Sequence, residues 1–161
     1  MSTDSPFPLR IELDGLGATM ALGARIAAGL GRGDSVALTG DLGAGKTTLA
    51  RAVLTALGVR ETMPSPTFTL VQSYLTPRLQ VRHYDLYRIE QEAELDELGL
   101  DEALEDGAVL IEWPERAGSR LPEDALTIRL TILDAASRRA EISGPPRWAS
   151  LFQDFPLVRR P

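Results

Sequence analysis

Apolar residues recur at Met20, Leu22, Ile26, Ala27 and Leu30, close to the spacing of one helix face, so residues 18–30 are expected to form an amphipathic helix. Thr19 stands where it would cap that helix, and Gly31 and Gly33 end it. Ahead of it, residues 10–13 alternate weakly, the pattern of a short edge strand. Behind it, Val36, Ala37 and Leu38 form an apolar burst within residues 35–39 that stops at a glycine-rich segment, as a parallel strand buried on both faces does. Helical spacing returns over residues 46–57 through Leu49, Ala50, Val53, Leu54 and Leu57, with Gly58 as the stop signal.

Pro64 and Pro66 make residues 63–69 begin as a loop. Residues 68–75 and 79–87 are rich in strand formers and flank Thr76-Pro77-Arg78, which predicts a hairpin. Residues 91–98 and 101–104 predict two short acidic helices separated by Gly99. A second buried-strand pattern, residues 108–111, ends at Glu112. Residues 125–133 and 138–143 predict strands paired through the turn at 134–137. Pro145 and Pro146 then break the chain, and residues 148–152 predict a terminal helical turn.

Composition narrows the chemistry. A chain of 161 residues with 43% hydrophobic residues carries enough apolar material for one core. There is no cysteine and one histidine, which excludes disulfides, thiolate metal sites and multi-histidine metal centres. No apolar run approaches the roughly 20 residues that span a bilayer. Residues 1–8 lack the layout of a signal peptide. A cytoplasmic protein without membrane association is the expectation. Net charge is −6, and Lys46 is the sole lysine, so little direct binding of nucleic acid is expected.

That one lysine sits in Gly40-Asp41-Leu42-Gly43-Ala44-Gly45-Lys46-Thr47, which fits G-x-x-x-x-G-K-[ST]. Glycines permit positive φ and let the backbone approach an anion with no Cβ in the way. Successive N–H groups then point inward as an anion nest, and the following helix adds its positive end. Lys46 is placed to bridge the β- and γ-phosphates of ATP, and Thr47 to offer a hydroxyl to Mg2+. A buried strand before the motif and an amphipathic helix after it are the context it requires.

A magnesium–triphosphate site also needs carboxylates at the ends of neighbouring strands. Glu112 closes an apolar run and is the candidate acid, acting on magnesium directly or through a water. Asp85 lies in Arg82-His83-Tyr84-Asp85-Leu86-Tyr87-Arg88, where alternation puts His83, Asp85 and Tyr87 on one face. Asp85 is suited to orient a water or an outer magnesium ligand; the other reading is a partly exposed strand face. His83 reads as structural. Ser65 and Thr67 place two hydroxyls in a proline-stiffened loop, either a γ-phosphate sensor or a plain turn. Trp113 directly follows Glu112 and reads as a partner contact or a core plug. No obvious arginine finger appears, although Arg82 and Arg88 flank Asp85 and could supply charge.

In order along the chain, the phosphate loop with Leu38, Thr39 and Thr48, then Ser65-Pro66-Thr67-Phe68-Thr69-Leu70, His83-Tyr84-Asp85-Leu86-Tyr87-Arg88, Glu94-Leu95 to Gly99, and Ile111-Glu112-Trp113-Pro114-Glu115 together resemble the bacterial TsaE (YjeE) family over residues 16–143. The resemblance implies an ATPase required for threonylcarbamoyladenosine at position 37 of tRNA, working with a TsaB–TsaD heterodimer in which TsaD carries the transfer chemistry and TsaC supplies the activated donor. Hydrolysis would reset the complex between turnovers. By resemblance, phosphate-loop contacts fall on Gly43, Ala44, Gly45, Lys46, Thr47 and Thr48, and magnesium ligands on Thr47 and Glu112. The functional aspartate and tryptophan fall on Asp85 and Trp113, the switch-like loop on residues 65–69, and base-proximal contacts on Thr19 and Arg138. An acidic chain that serves a tRNA enzyme without gripping tRNA itself agrees with the charge.

The expected fold is α/β: a three-layer P-loop NTPase domain over residues 1–144 whose central sheet is mixed and mainly parallel, followed by a tail, 145–161, of no assigned role. The expected activity is slow, magnesium-dependent ATP hydrolysis raised by partners, with Lys46, Asp85 and Glu112 as its catalytic residues. The competing expectation is a nucleotide-dependent binding module in which hydrolysis is incidental. A GTPase or metabolite kinase is disfavoured, because there is no Asn-Lys-x-Asp segment and no arginine-rich lid.

Overall fold

The alternating elements form one eight-stranded sheet with helices on both faces. The computed structural model describes residues 7–67, 69–156 and 158–159, the last two as backbone. In chain order these are β1 (Leu9–Asp14), α1 (Leu16–Gly29), β2 (Ser35–Gly40), α2 (Lys46–Ala56), β3 (Val71–Leu75), β4 (Gln80–Asp85), α3 (Glu94–Glu97), α4 (Leu100–Asp106), β5 (Gly107–Glu112), a 3-10 stretch (Pro114–Arg120), β6 (Leu126–Ile132), β7 (Ser137–Ser143), a second 3-10 stretch (Pro146–Phe152) and β8 (Val158–Arg159).

Across the sheet the order is β3-β4-β5-β2-β6-β7-β1-β8. The middle four strands, β4, β5, β2 and β6, run parallel. The hairpin β3–β4 closes one margin, and antiparallel β7, β1 and β8 extend the other. The expected mixed sheet is therefore present, with parallel strands at its centre. β5 is buried at every position because both its faces are covered. Ala108 and Leu110 join the cluster that holds Leu22 and Ile26 of α1 and Leu49 and Val53 of α2. Val109 and Ile111 join the opposite cluster, with Leu95 of α3 and Leu100 and Ala103 of α4. Helices α1 and α2 pack closely; a Cβ on Gly23 would stand 2.4 Å from Ala52 Cβ.

Four local expectations change. Strand β1 is not an edge: it pairs along its length with β7, and β8 pairs with Arg10 and Ile11, while Ile11 and Leu13 are buried in the cluster that holds Leu22 and Ile26 of α1. Helix α1 starts at Leu16 with Gly15 as N-cap, so Thr19 lies within the helix and does not cap it. The first acidic helix shrinks to Glu94–Glu97, because Glu94 Oε2 accepts the Glu90 and Gln91 N–H groups at 2.9 Å each and holds them in a turn. Strand β3 begins at Val71; the expected start at Phe68 lies outside the described residues.

Within the segment after residue 144, residues 148–155 pack onto the domain. Trp148 and Phe152 are 2% and 1% exposed and join the cluster around α1, and Arg25 Nη1 donates to Leu151 O at 3.3 Å. Among the described residues, no helix is long and apolar enough to cross a membrane.

Candidate functional site

Parallel register gathers the chemistry at one edge of the sheet. Leu38 of β2 and Asp85 of β4 are both register partners of Glu112, so the ends of three neighbouring strands meet where β2 runs into the glycine loop. Within that loop Gly43 and Gly45 take φ of 82° and 106°, a region costly for any side chain. A Cβ at either would meet nothing within 4 Å. Gly45 caps α2, no side chain occupies the cap, and helix geometry leaves the first N–H groups without intrahelical partners. Such an arrangement can cradle a phosphate anion.

Lys46 is 5% exposed, and its ammonium donates to Gly40 O. Nζ also lies 3.7 Å from the centre of the Trp113 ring. Burial holds the Lys46 pKa below the usual lysine value, against the opposing pull of Glu112, Glu115, Asp85 and Asp41.

Thr47 Oγ1 donates to Glu112 Oε1 at 2.8 Å and to Oε2 at 2.9 Å. A hydroxyl and a carboxylate are the hard oxygen donors that magnesium takes, and magnesium typically draws its other ligands from water and substrate phosphates. The pair therefore fits a magnesium–nucleotide site; among the described residues no cluster of three or more His, Cys, Asp or Glu side chains forms a separate metal cage. Asp85 is 6% exposed and accepts from Thr67 Oγ1 at 3.3 Å and from the Tyr87 N–H at 3.1 Å. Ser65 Oγ and Thr67 Oγ1 are 2.7 Å apart, so the exposed Ser65 is linked to Asp85 through Thr67.

Trp113 is half-buried with φ of 57°, and its ring lies 5.0 Å from that of Tyr87. It packs against the cluster of α3 and α4 and lies against Lys46. On the far side of the loop a cleft of about 310 Å³ is lined by Thr19, Ala44, Gly45, Thr48, Leu130 and Arg138 among others. Arg138 Nη2 reaches Gly43 O at 3.4 Å, and Nη1 donates to Asp134 O at 2.7 Å.

Lys46, Thr47, Glu112, Asp85, Thr67 and Trp113 thus converge, while Thr19, Thr48 and Arg138 line the adjoining cleft. Arg82 does not supply charge to Asp85: alternation sends it with Tyr84 to the opposite face, where Nη1 donates to Gly99 O at 3.0 Å. The expected structural, hydrogen-bonded histidine is present at His83, and its partner is Glu112. His83 is 1% exposed, and Nε2 lies 2.6 Å from Glu112 Oε2. The available signal was that His83 shares a strand face with Asp85; that Glu112 stands on the next strand emerges only from the sheet order.

Known proteins resemble this chain over most of its length. The family described as threonylcarbamoyl adenosine biosynthesis protein TsaE matches residues 13–140. A Rickettsia prowazekii protein named tRNA threonylcarbamoyladenosine biosynthesis protein TsaE is 42% identical over 110 residues, covering 68% of this chain and 76% of that protein. A Nostoc protein of the same name is 40% identical over 131 residues, covering 78% and 80%. The crystal structure of YdiB from Bacillus subtilis superposes with a TM-score of 0.76 at 29% identity, over 93% of this chain and 94% of that one.

Proposed function

We propose, since this chain belongs to the TsaE family and that family takes part in making threonylcarbamoyladenosine in tRNA, that it is a magnesium-dependent ATPase acting on a TsaB–TsaD complex, with hydrolysis resetting that complex between turnovers. The observation that carries the ATPase reading is the Thr47–Glu112 contact at 2.8 Å, set beside a glycine cradle and the ammonium of Lys46. In this reading the cradle N–H groups and Lys46 bind the triphosphate, and Thr47 and Glu112 hold magnesium. The bound ion neutralises charge on the phosphate oxygens. Asp85 is poised to orient the attacking water, and the cleft beside Thr19 and Arg138 accepts the nucleoside. The net charge of −6 leaves tRNA binding to the partners.

The test is reconstitution of tRNA modification with TsaB–TsaD over many turnovers. Modification is expected to continue with this protein and ATP, and to stall after about one round with the Lys46→Ala variant. Wild-type turnover by Lys46→Ala would sink the proposal.

A second reading, a switch module in which hydrolysis is incidental, is favoured by one observation. The Thr67–Asp85 hydrogen bond ties the 65–69 loop to the site, so nucleotide occupancy would reshape an exposed surface. Repeated rounds supported by a non-hydrolysable ATP analogue would select this reading over the ATPase.

A further inference from the structure

We propose that His83 is a positioning residue for the magnesium site: its imidazole holds the Glu112 carboxylate in the orientation that serves Thr47 and the ion. The inference rests on the reading of Thr47 and Glu112 as the magnesium-binding pair, and goes beyond it by assigning the group that sets their geometry.

Three observations carry it. First, His83 and Glu112 are 1% and 2% exposed, so bulk solvent contributes little to orienting the carboxylate. A buried carboxylate without donors is costly, and its partners decide where its lone pairs point. Second, the contact is specific: Nε2 to Oε2 at 2.6 Å, while Thr47 spans both carboxylate oxygens from the other side. A carboxylate only accepts, so Nε2 carries the hydrogen and donates it. Third, the two supports differ in rigidity. Thr47 belongs to the first turn of α2, next to a loop that must admit a phosphate. His83 stands inside β4, paired on one side with Leu110 of β5 and on the other with Gln72 of β3. The strand side of Glu112 is therefore anchored within the sheet, whereas the Thr47 side borders the glycine loop. Groups in this position typically tune the affinity of a metal site rather than bind the metal.

The closing experiment uses the whole protein and measures ATP affinity in EDTA and across free Mg2+. The amide nitrogen of glutamine reaches about as far as histidine Nε2, whereas that of asparagine falls near Nδ1. His83→Asn is expected to raise the free Mg2+ needed for half of the tightening of ATP binding by roughly ten- to a hundredfold, with affinity in EDTA unchanged. His83→Gln is expected to restore most of the Mg2+ response. Equal Mg2+ requirements in His83→Asn and the unaltered chain overturn the inference and leave the magnesium site standing. No effect of Mg2+ on ATP affinity in the unaltered chain overturns both.

A measurement that leaves His83 in place covers the case in which His83→Asn fails to fold. The chain has one histidine, so its imidazole N–H resonance is unambiguous. A slowly exchanging Nε2–H that shifts in Glu112→Gln supports the proposal, and an imidazole protonated only at Nδ1 overturns it.

Discussion

The ammonium of Lys46 sits 3.7 Å from the centre of the Trp113 ring, and the same nitrogen donates to Gly40 O. The side chain placed to meet phosphate is thus held by an indole face and a carbonyl, a contact of roughly 0.5–2 kcal/mol on the aromatic side. A bound triphosphate competes for that ammonium. Nucleotide is therefore expected to change the tryptophan emission, and Trp113→Phe to abolish the change, because the only other tryptophan, Trp148, is 2% exposed in the core around α1. A full response in Trp113→Phe would contradict this.

Replacing Lys46 separates binding from folding. Loss of charge-assisted bonds to phosphate, at about 1.5–3 kcal/mol, is expected to weaken ATP by at least tenfold in Lys46→Met. Burial lowers the Lys46 pKa, so the charge is a cost to the folded state. The melting temperature without nucleotide is accordingly expected to stay level or rise, which differential scanning calorimetry would show.

Two glycines of the loop should fail differently. At Gly43 an added Cβ meets nothing, and the cost is the positive φ, about 1–2 kcal/mol. At Gly40 the Cβ would lie 2.5 Å from Leu130 O on the neighbouring strand, a collision with backbone. Urea denaturation is expected to find Gly40→Ala the less stable of the two, with Gly43→Ala losing chiefly nucleotide affinity.

For Asp85, Asp85→Ala is expected to leave ATP affinity largely intact and to lower hydrolysis by roughly a hundredfold or more, the range of a positioned acid–base group. Single-turnover hydrolysis would measure it. Unchanged hydrolysis would remove Asp85 from the reaction and leave it as the anchor of Thr67.

Alkaline stability has a named contributor. Tyr84 is fully buried, donates to Leu98 O at 2.9 Å, and is held by burial above the ordinary tyrosine value of 10.0, partly offset by Arg82. Below pH 10 the phenol is protonated in folded and unfolded chains alike, and its stabilisation is fully present. As pH rises through the raised value the unfolded chain loses its proton first, so stability falls. Tyr84→Phe is expected to lose about 1 kcal/mol at neutral pH and to lessen this alkaline decline. Some decline remains, because burial raises Tyr74 as well. Denaturant midpoints at neutral and alkaline pH would check both effects.

Residue order alone determined the parts of this protein that depend on local rules. The glycine loop, the buried strand before it and the helix after it were legible because positive φ, apolar runs and helical spacing are properties of a few consecutive residues. Glu112 was legible because a strand buried on both faces announces its own end. Tertiary structure decided what depends on which strands are neighbours. Only the placement of β4 beside β5 brings His83 onto Glu112, and only the sheet order moves β1 away from the edge. The same holds for Trp113 over Lys46 and for Trp148 and Phe152 in the core. These contacts join residues far apart along the chain. Their partners are chosen by sheet topology and packing, which no short window of sequence encodes.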